Sequence, residues 1–176
     1  MQIPVLVPVK SHIQKFIINR YGDGKNHSIA VRKMTFLGDI LALALVKNTF
    51  MTTRFEVPTG PCLVFHIPSE TKFMEVPEKK LRMLQVALDR HFRDCLISFV
   101  MGYHFATGDQ MQAVKKFLDV HDIDEETLSA DTAWKVWRDF EVKMERKRKK
   151  SFRQVVGASG KPVGEIDNLS VVFAMS

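Results

Sequence analysis

With 176 residues and 20.2 kDa, the chain has the length of one ordinary domain or two small ones, and can bury about 70% of its unfolded surface. Its 45% hydrophobic and 26% charged residues exclude collagen-like, low-complexity and wholly disordered chains. Lys and Arg exceed Asp and Glu by six, for a pI near 9.4, while two cysteines, Cys62 and Cys95, cannot build a disulfide framework and point to a reducing compartment.

The amino terminus, MQIPVLVPVK, has no basic residue ahead of its apolar run and carries prolines at 4 and 8, so it reads as an edge strand or extended arm, not as a signal peptide. Ser11 is the expected cap of a short helix with Ile13, Phe16, Ile17 and Tyr21 on one face, stopped by Gly22 and Gly24. Residues 28–33 alternate like a strand. Thr35 to Val46 is apolar enough to be a buried helix or strand, with helix preferred; the stretch Phe36 to Val46 includes Asp39 and is about half of a bilayer-spanning length. Phe50–Val57, Cys62–Ile67 and Lys72–Val76, broken by Pro58, Gly60, Pro61 and Pro68, read as short strands of an antiparallel sheet.

Pro77 and Glu78 open a long helix, in which Leu81, Leu84, Leu88, Phe92, Cys95, Phe99 and Tyr103 recur at three- and four-residue steps. A second helix is expected from Asp109 to His121, with Met111, Val114, Phe117, Leu118 and His121 on its apolar face. After the acidic loop DIDEETLSAD a third begins near Ser129 or Ala130; Ala130, Ala133, Trp134, Trp137, Phe140 and Met144 fall within an arc of about 120°. Beyond Met144 that arc is taken by Lys147 and Arg148, so the helix end is expected to leave the core. Ser151 to Ser176, with Gly157, Gly160, Pro162 and Gly164, reads as a flexible tail whose apolar run Val171–Met175 can add a strand to a sheet edge. The expected architecture is α+β: an N-terminal half of short antiparallel strands with one or two helices, then a C-terminal three-helix bundle with a projecting basic last helix. Residues 1–76 would form a small α+β domain, 77–150 a helical domain and 151–176 the tail.

The charge is confined. Lys143 to Arg153 (KMERKRKKSFR) contains seven cations and one anion, so this run alone carries the whole net charge of +6. Lys143, Arg146, Lys147, Arg148, Lys149, Lys150 and Arg153 are therefore candidate phosphate contacts, with Lys135 and Arg138 extending the patch. A solvated helix end or an acidic protein partner would also account for the run. A helix-turn-helix reading of Met111–His121 and Ala130–Met144 is disfavoured: the loop is long and carries Asp122, Asp124, Glu125 and Glu126, which phosphates repel. Trp134 and Trp137 can stack on bases, but their spacing suits a core better.

Other chemistry finds little footing. His91 and Cys95 have helical spacing for a shared metal, with His104 or His66 as remote additions, yet no Cys-x-x-Cys or His-x-x-x-His completes a ligand set, and both cysteines read as small hydrophobes. The glycines of YGDGKN match no phosphate loop, no Gly-x-Ser-x-Gly elbow occurs, and the loop acids miss the calcium-loop pattern. No cofactor, metal or enzymatic activity is expected.

The string AVKKFLDVHDIDEETLSADTAWKVWRDF, Ala113 to Phe140, resembles a C-terminal module of uncharacterised small basic proteins of phages and integrated mobile elements: an amphipathic helix, an Ile-Asp-Glu-Glu corner, and a helix with Asp-Thr-x-x-Lys before an aromatic and an arginine. HIQKFIINRYGDG, His12 to Gly24, is similar in flavour. The resemblance covers about a third of the chain, carries over no catalytic residue, and implies a mobile-element DNA-associated or accessory factor. The expected function is non-catalytic nucleic-acid binding in the cytoplasm, DNA by preference and with no membrane partner. The alternative is an assembly subunit whose basic helix and apolar tail dock on a partner protein, and a homo-oligomer is compatible with either.

Overall fold

A computed structural model describes residues 2–22, 28–32, 34–47, 59–68 and 74–159, the side chains of Met74 and of residues 152–159 excepted. Alternation of apolar side chains builds the first layer. In β1 (Gln2–Pro8), Ile3, Val5 and Val7 point inward while Gln2, Pro4 and Leu6 stay exposed. It pairs antiparallel with β4 (Cys62–Pro68), Val5 opposite Phe65, and Leu63, Phe65 and Ile67 share the inner face. The other neighbour of β4 is β2 (Ser28–Ala30), giving the order β1-β4-β2. As an edge strand, β1 accommodates Pro4 and Pro8 without breaking a two-sided ladder.

The β2–β4 pairing is parallel, which the expected antiparallel arrangement did not contain. Alternation fixes which face of a strand is buried but says nothing of its direction. Separately, β3 (Val46–Lys47) and β5 (Met74–Glu75) form a two-stranded antiparallel ribbon. The strand expected over 50–57 lies outside the described residues.

Helix α1 (Ser11–Tyr21) buries Ile13, Phe16 and Ile17. Ser11 does not cap it: the extended cap position falls on Lys10, which makes no side-chain cap bond, and Ser11 is already helical. Gly22 ends the helix, its N–H on the Ile18 carbonyl at 2.8 Å, with Gly24 outside the described residues. The ambiguous apolar run is α2 (Phe36–Ala44). Thr35 caps it, its Oγ1 accepting from Gly38 N at 3.1 Å and donating to the Arg32 carbonyl at 2.8 Å.

Helix α3 (Glu78–Thr107) ends at Gly108, whose φ of +77° favours a residue without Cβ. It buries Leu84, Leu88, Phe92, Leu96 and Val100, whereas Leu81, Cys95, Phe99 and Tyr103 of the expected stripe are only half-buried. Steps of four advance about 40° each, so this row winds around the helix. Partners change along it: Gln85 Nε2 donates to the Pro8 carbonyl at 2.9 Å, Phe92 meets Phe16 at 5.3 Å, and Phe99 meets Phe117 at 5.5 Å. Helix α4 (Gln110–Val120), capped by Asp109 on Gln112 N at 2.9 Å, contributes Ala113, Val114, Phe117 and Leu118. Phe16, Phe92 and Phe117 form the aromatic centre joining α1, α3 and α4.

The turn after α4 is held by Asp122 N on the Asp119 carbonyl at 3.1 Å and Ile123 N on the Leu118 carbonyl at 2.9 Å, with Asp122 at φ +57°. That is a Schellman ending with aspartate where glycine is commoner. Helix α5 (Ala130–Ser159) starts with Ala130, Ala133 and Trp137 buried. The flexible tail expected from Ser151 is thus helical through Ser159. Helix continues because residues 151–156 contain neither glycine nor proline, and the glycine at 157 alone does not stop it. The molecule is α+β, with its sheet in the N-terminal part and a helical C-terminal part. It divides into two compact units, residues 1–137 and 138–176. Among the described residues no helix is long and apolar enough to cross a membrane.

Candidate nucleic-acid interface

Among its described residues, the second unit is one element. From Arg138 through Ser159 the chain stays helical, and every described residue from Glu141 to Ser151 is exposed. Arg, Lys, Glu and Met are strong helix formers, so Glu141 to Lys150 favours helix from its own composition. Lys143, Arg146, Lys147, Arg148, Lys149 and Lys150 are exposed within this helix; Arg153 falls on its helical backbone. Arg138, also exposed, opens the unit, whereas Lys135, exposed on α5, belongs to the first.

Lys149 Nζ pairs with Glu145 Oε1 at 2.6 Å across one helical turn, and this hydrogen bond holds the Glu145 carboxyl below its ordinary range. Among the described residues, Lys143, Arg146, Lys147, Arg148 and Lys150 make no ion pair. Several positive charges 1.5 Å apart in rise are held on a regular scaffold, which costs repulsion that a polyanion would relieve.

The first unit holds the remaining candidates. The loop acids are exposed but engaged: Asp124 accepts from Lys15 Nζ and from Thr127 N, which together hold its carboxyl down to about 2. Glu125 accepts from Ala130 N at 3.2 Å and so caps the start of α5. A groove-reading role for that start would bring Asp122, Asp124, Glu125 and Glu126 against phosphate. Trp137 is buried; half-buried Trp134 lines a depression of about 640 Å³ with Thr107, Gly108, Asp109, Gln110 and Met111.

His91 and Cys95 approach as their spacing implies, Sγ lying 3.8 Å from Nε2, but among the described residues no three metal-ligating side chains converge. His104 lies 13 residues further along α3, about 20 Å by helical rise, and His66 is on β4. Sequence reasoning missed the other neighbours of His91: Tyr21 Oη is 2.7 Å from Nε2, and Phe36 stacks on the ring at 4.3 Å. Seventy residues separate Tyr21 from His91, so no local spacing announces the pair. Burial, then the nearby Arg20 cation, push His91 below the ordinary histidine range. His121 is also lowered by burial and Arg20, with Nδ1 donating to Asn19 Oδ1 at 3.1 Å. Desolvation raises both Cys62 and Cys95 thiols, the opposite of what an activated nucleophile requires.

No family, curated protein or solved structure matches the chain.

Proposed function

We propose that this protein binds nucleic acid without catalysis, through phosphate contacts from the cationic helix of its second unit, as a cytoplasmic accessory or regulatory factor of a phage or integrated mobile element. The observation that carries this reading is the exposure of Lys143, Arg146, Lys147, Arg148 and Lys150 on continuous helix, with no intramolecular ion pair among the described residues. The engaged cation, Lys149, bonds to Glu145, an exposed pair that is worth little in water and is easily exchanged for phosphate. Phosphates neutralised by about five of these side chains would give log K against log salt a slope near −5. An anisotropy titration of a labelled oligonucleotide is then expected to weaken about a thousandfold between 50 and 200 mM salt. Binding indifferent to salt, or absent at low salt, defeats the reading.

A second reading, an assembly subunit, draws on exposed apolar side chains of the first unit, notably Leu43 and Phe105 at 78% and 79% exposure. It predicts a discrete oligomer or a co-purifying protein by light scattering with size exclusion, and no affinity for nucleic acid.

A further inference from the structure

We propose that the solvent-facing side of α3 is the interface of a homodimer, in which the α3 helices of two copies pair antiparallel about a twofold axis. This stands apart from whatever the second unit binds. A helix of 30 residues has room for two seams, and the row Leu84, Leu88, Phe92, Leu96 and Val100 serves the chain's own core. On another side, Met83, Ala87, Arg90, Asp94, Ile97 and Met101 follow alternating steps of four and three, the 3.5-residue period with which two helices pack along a seam. At 100° per residue, Met83 and Met101 share one azimuth and the other four lie within 40° of it. Between residues 79 and 105, that arc contains besides these only Lys79 and Phe105.

The seam faces water. Met83 is 64% exposed and Met101 40%, with Val86 alongside at 61%, while Ala87 and Ile97 are half-buried. Contiguous apolar surface of this kind marks an interaction site.

Charge identifies what covers it. Arg90 and Asp94 lie one turn apart and are both exposed, yet among the described residues neither makes an ion pair. Cation before anion is also the weaker order for pairing within a helix. A twofold axis level with residue 92 sets Arg90 of each copy against Asp94 of the other. The same register sets Met83 against Met101 and Ala87 against Ile97, and one step further out Lys80 faces His104. Two central layers are then opposite charges, and no like charges are opposed. A parallel pair in register would put Arg90 on Arg90 and Asp94 on Asp94, so the charges select the antiparallel arrangement.

Helix α2 extends the surface. Lys80 Nζ donates to the Leu43 carbonyl at 2.8 Å, which places the end of α2 beside the seam, and Phe36 stacks on His91 along the same side. A twofold axis keeps every residue on its own side, and Phe105 and Lys80 share theirs. Phe105 of one copy therefore arrives next to Leu43 of the other, covering together two of the most exposed apolar side chains.

Sedimentation equilibrium of the full chain is expected to give about 40 kDa, twice the 20.2 kDa of one copy. Arg90→Asp opposes two carboxylates in each central layer and is expected to weaken association at least about tenfold, as is Asp94→Arg. The chain carrying both substitutions regains the pairs in reversed order and is expected to return to within about threefold of wild type. Both positions are exposed, so the fold survives each change, which far-UV circular dichroism checks. A monomer at every concentration overturns the proposal. So does a dimer that tolerates Arg90→Asp, because its contact lies elsewhere, or a double variant that stays dissociated, because the two residues then do not face each other. None of these outcomes bears on the nucleic-acid reading, which the salt titration decides.

Discussion

Gly38 sits where a methyl group has no room: a Cβ there would strike the Arg32 carbonyl oxygen and lie 3.1 Å from Thr35 Oγ1. Both are parts of the α2 cap, so neither can move without undoing it. Gly38→Ala is expected to destabilise by about 1–3 kcal/mol, read as a lower urea midpoint. An unchanged midpoint would mean that the cap is dispensable. At the same scale, Phe117 touches the rings of Phe16, Phe92, Phe99 and His121 and is 1% exposed. Phe117→Ala should cost about 3–5 kcal/mol, checked by the same unfolding curve. The apolar character of Phe117 is legible from helical spacing. Its position as the centre of the aromatic cluster is not, because three of these four partners come from α1 and α3.

Among the elements, α5 illustrates how far composition reaches. Helix-forming residues and a confined cationic run were both readable, and they predicted a basic helix. The helical extension to Ser159 was masked by the glycines and proline that follow, which make the last 26 residues look uniformly like a linker. On this helix, Lys143→Ala with Lys147→Ala should lower the magnitude of the salt slope by about 2 and weaken all sequences alike, measured by anisotropy over a salt series. A slope that stays put would place those side chains outside the contact. For the sheet, the first nine residues read as an edge strand or arm and Cys62–Ile67 as a short strand, which the structure pairs as β1 and β4. The strand at β2 was legible from its alternation, but three residues carry too little pattern to reveal its direction or its neighbour.

For the whole molecule, acid is the informative perturbant. His12, His91 and His121 all lie below their ordinary range, chiefly through burial, beside Lys10, Asp89 and Arg93 for His12, Arg20 and Asp94 for His91, and Arg20 for His121. The unfolded chain therefore takes up protons near pH 6.5 that the folded chain refuses, and stability falls as pH drops below that value. Asp124 acts in another window: its carboxyl, near 2 in the fold, contributes stability above the unfolded value that is lost as pH falls toward 2. Urea midpoints at pH 7, 5 and 3 are expected to descend in that order. His121→Gln should flatten the step between pH 7 and pH 5, and an equal step in that variant would remove His121 from the account.

Length, composition, helical periodicity and the single cationic run were properties of the chain alone, because each depends on neighbours within a few residues. They were enough for an α+β class, four helices in sequence with a fifth preferred over a strand at Thr35 to Val46, and a polyanion hypothesis. Folding decided what depends on distant residues meeting: Tyr21 against His91, Lys15 holding the acidic corner at Asp124, and a parallel strand beside β4. Such contacts join segments tens of residues apart through packing and desolvation, and these leave no spacing in the linear text to be read.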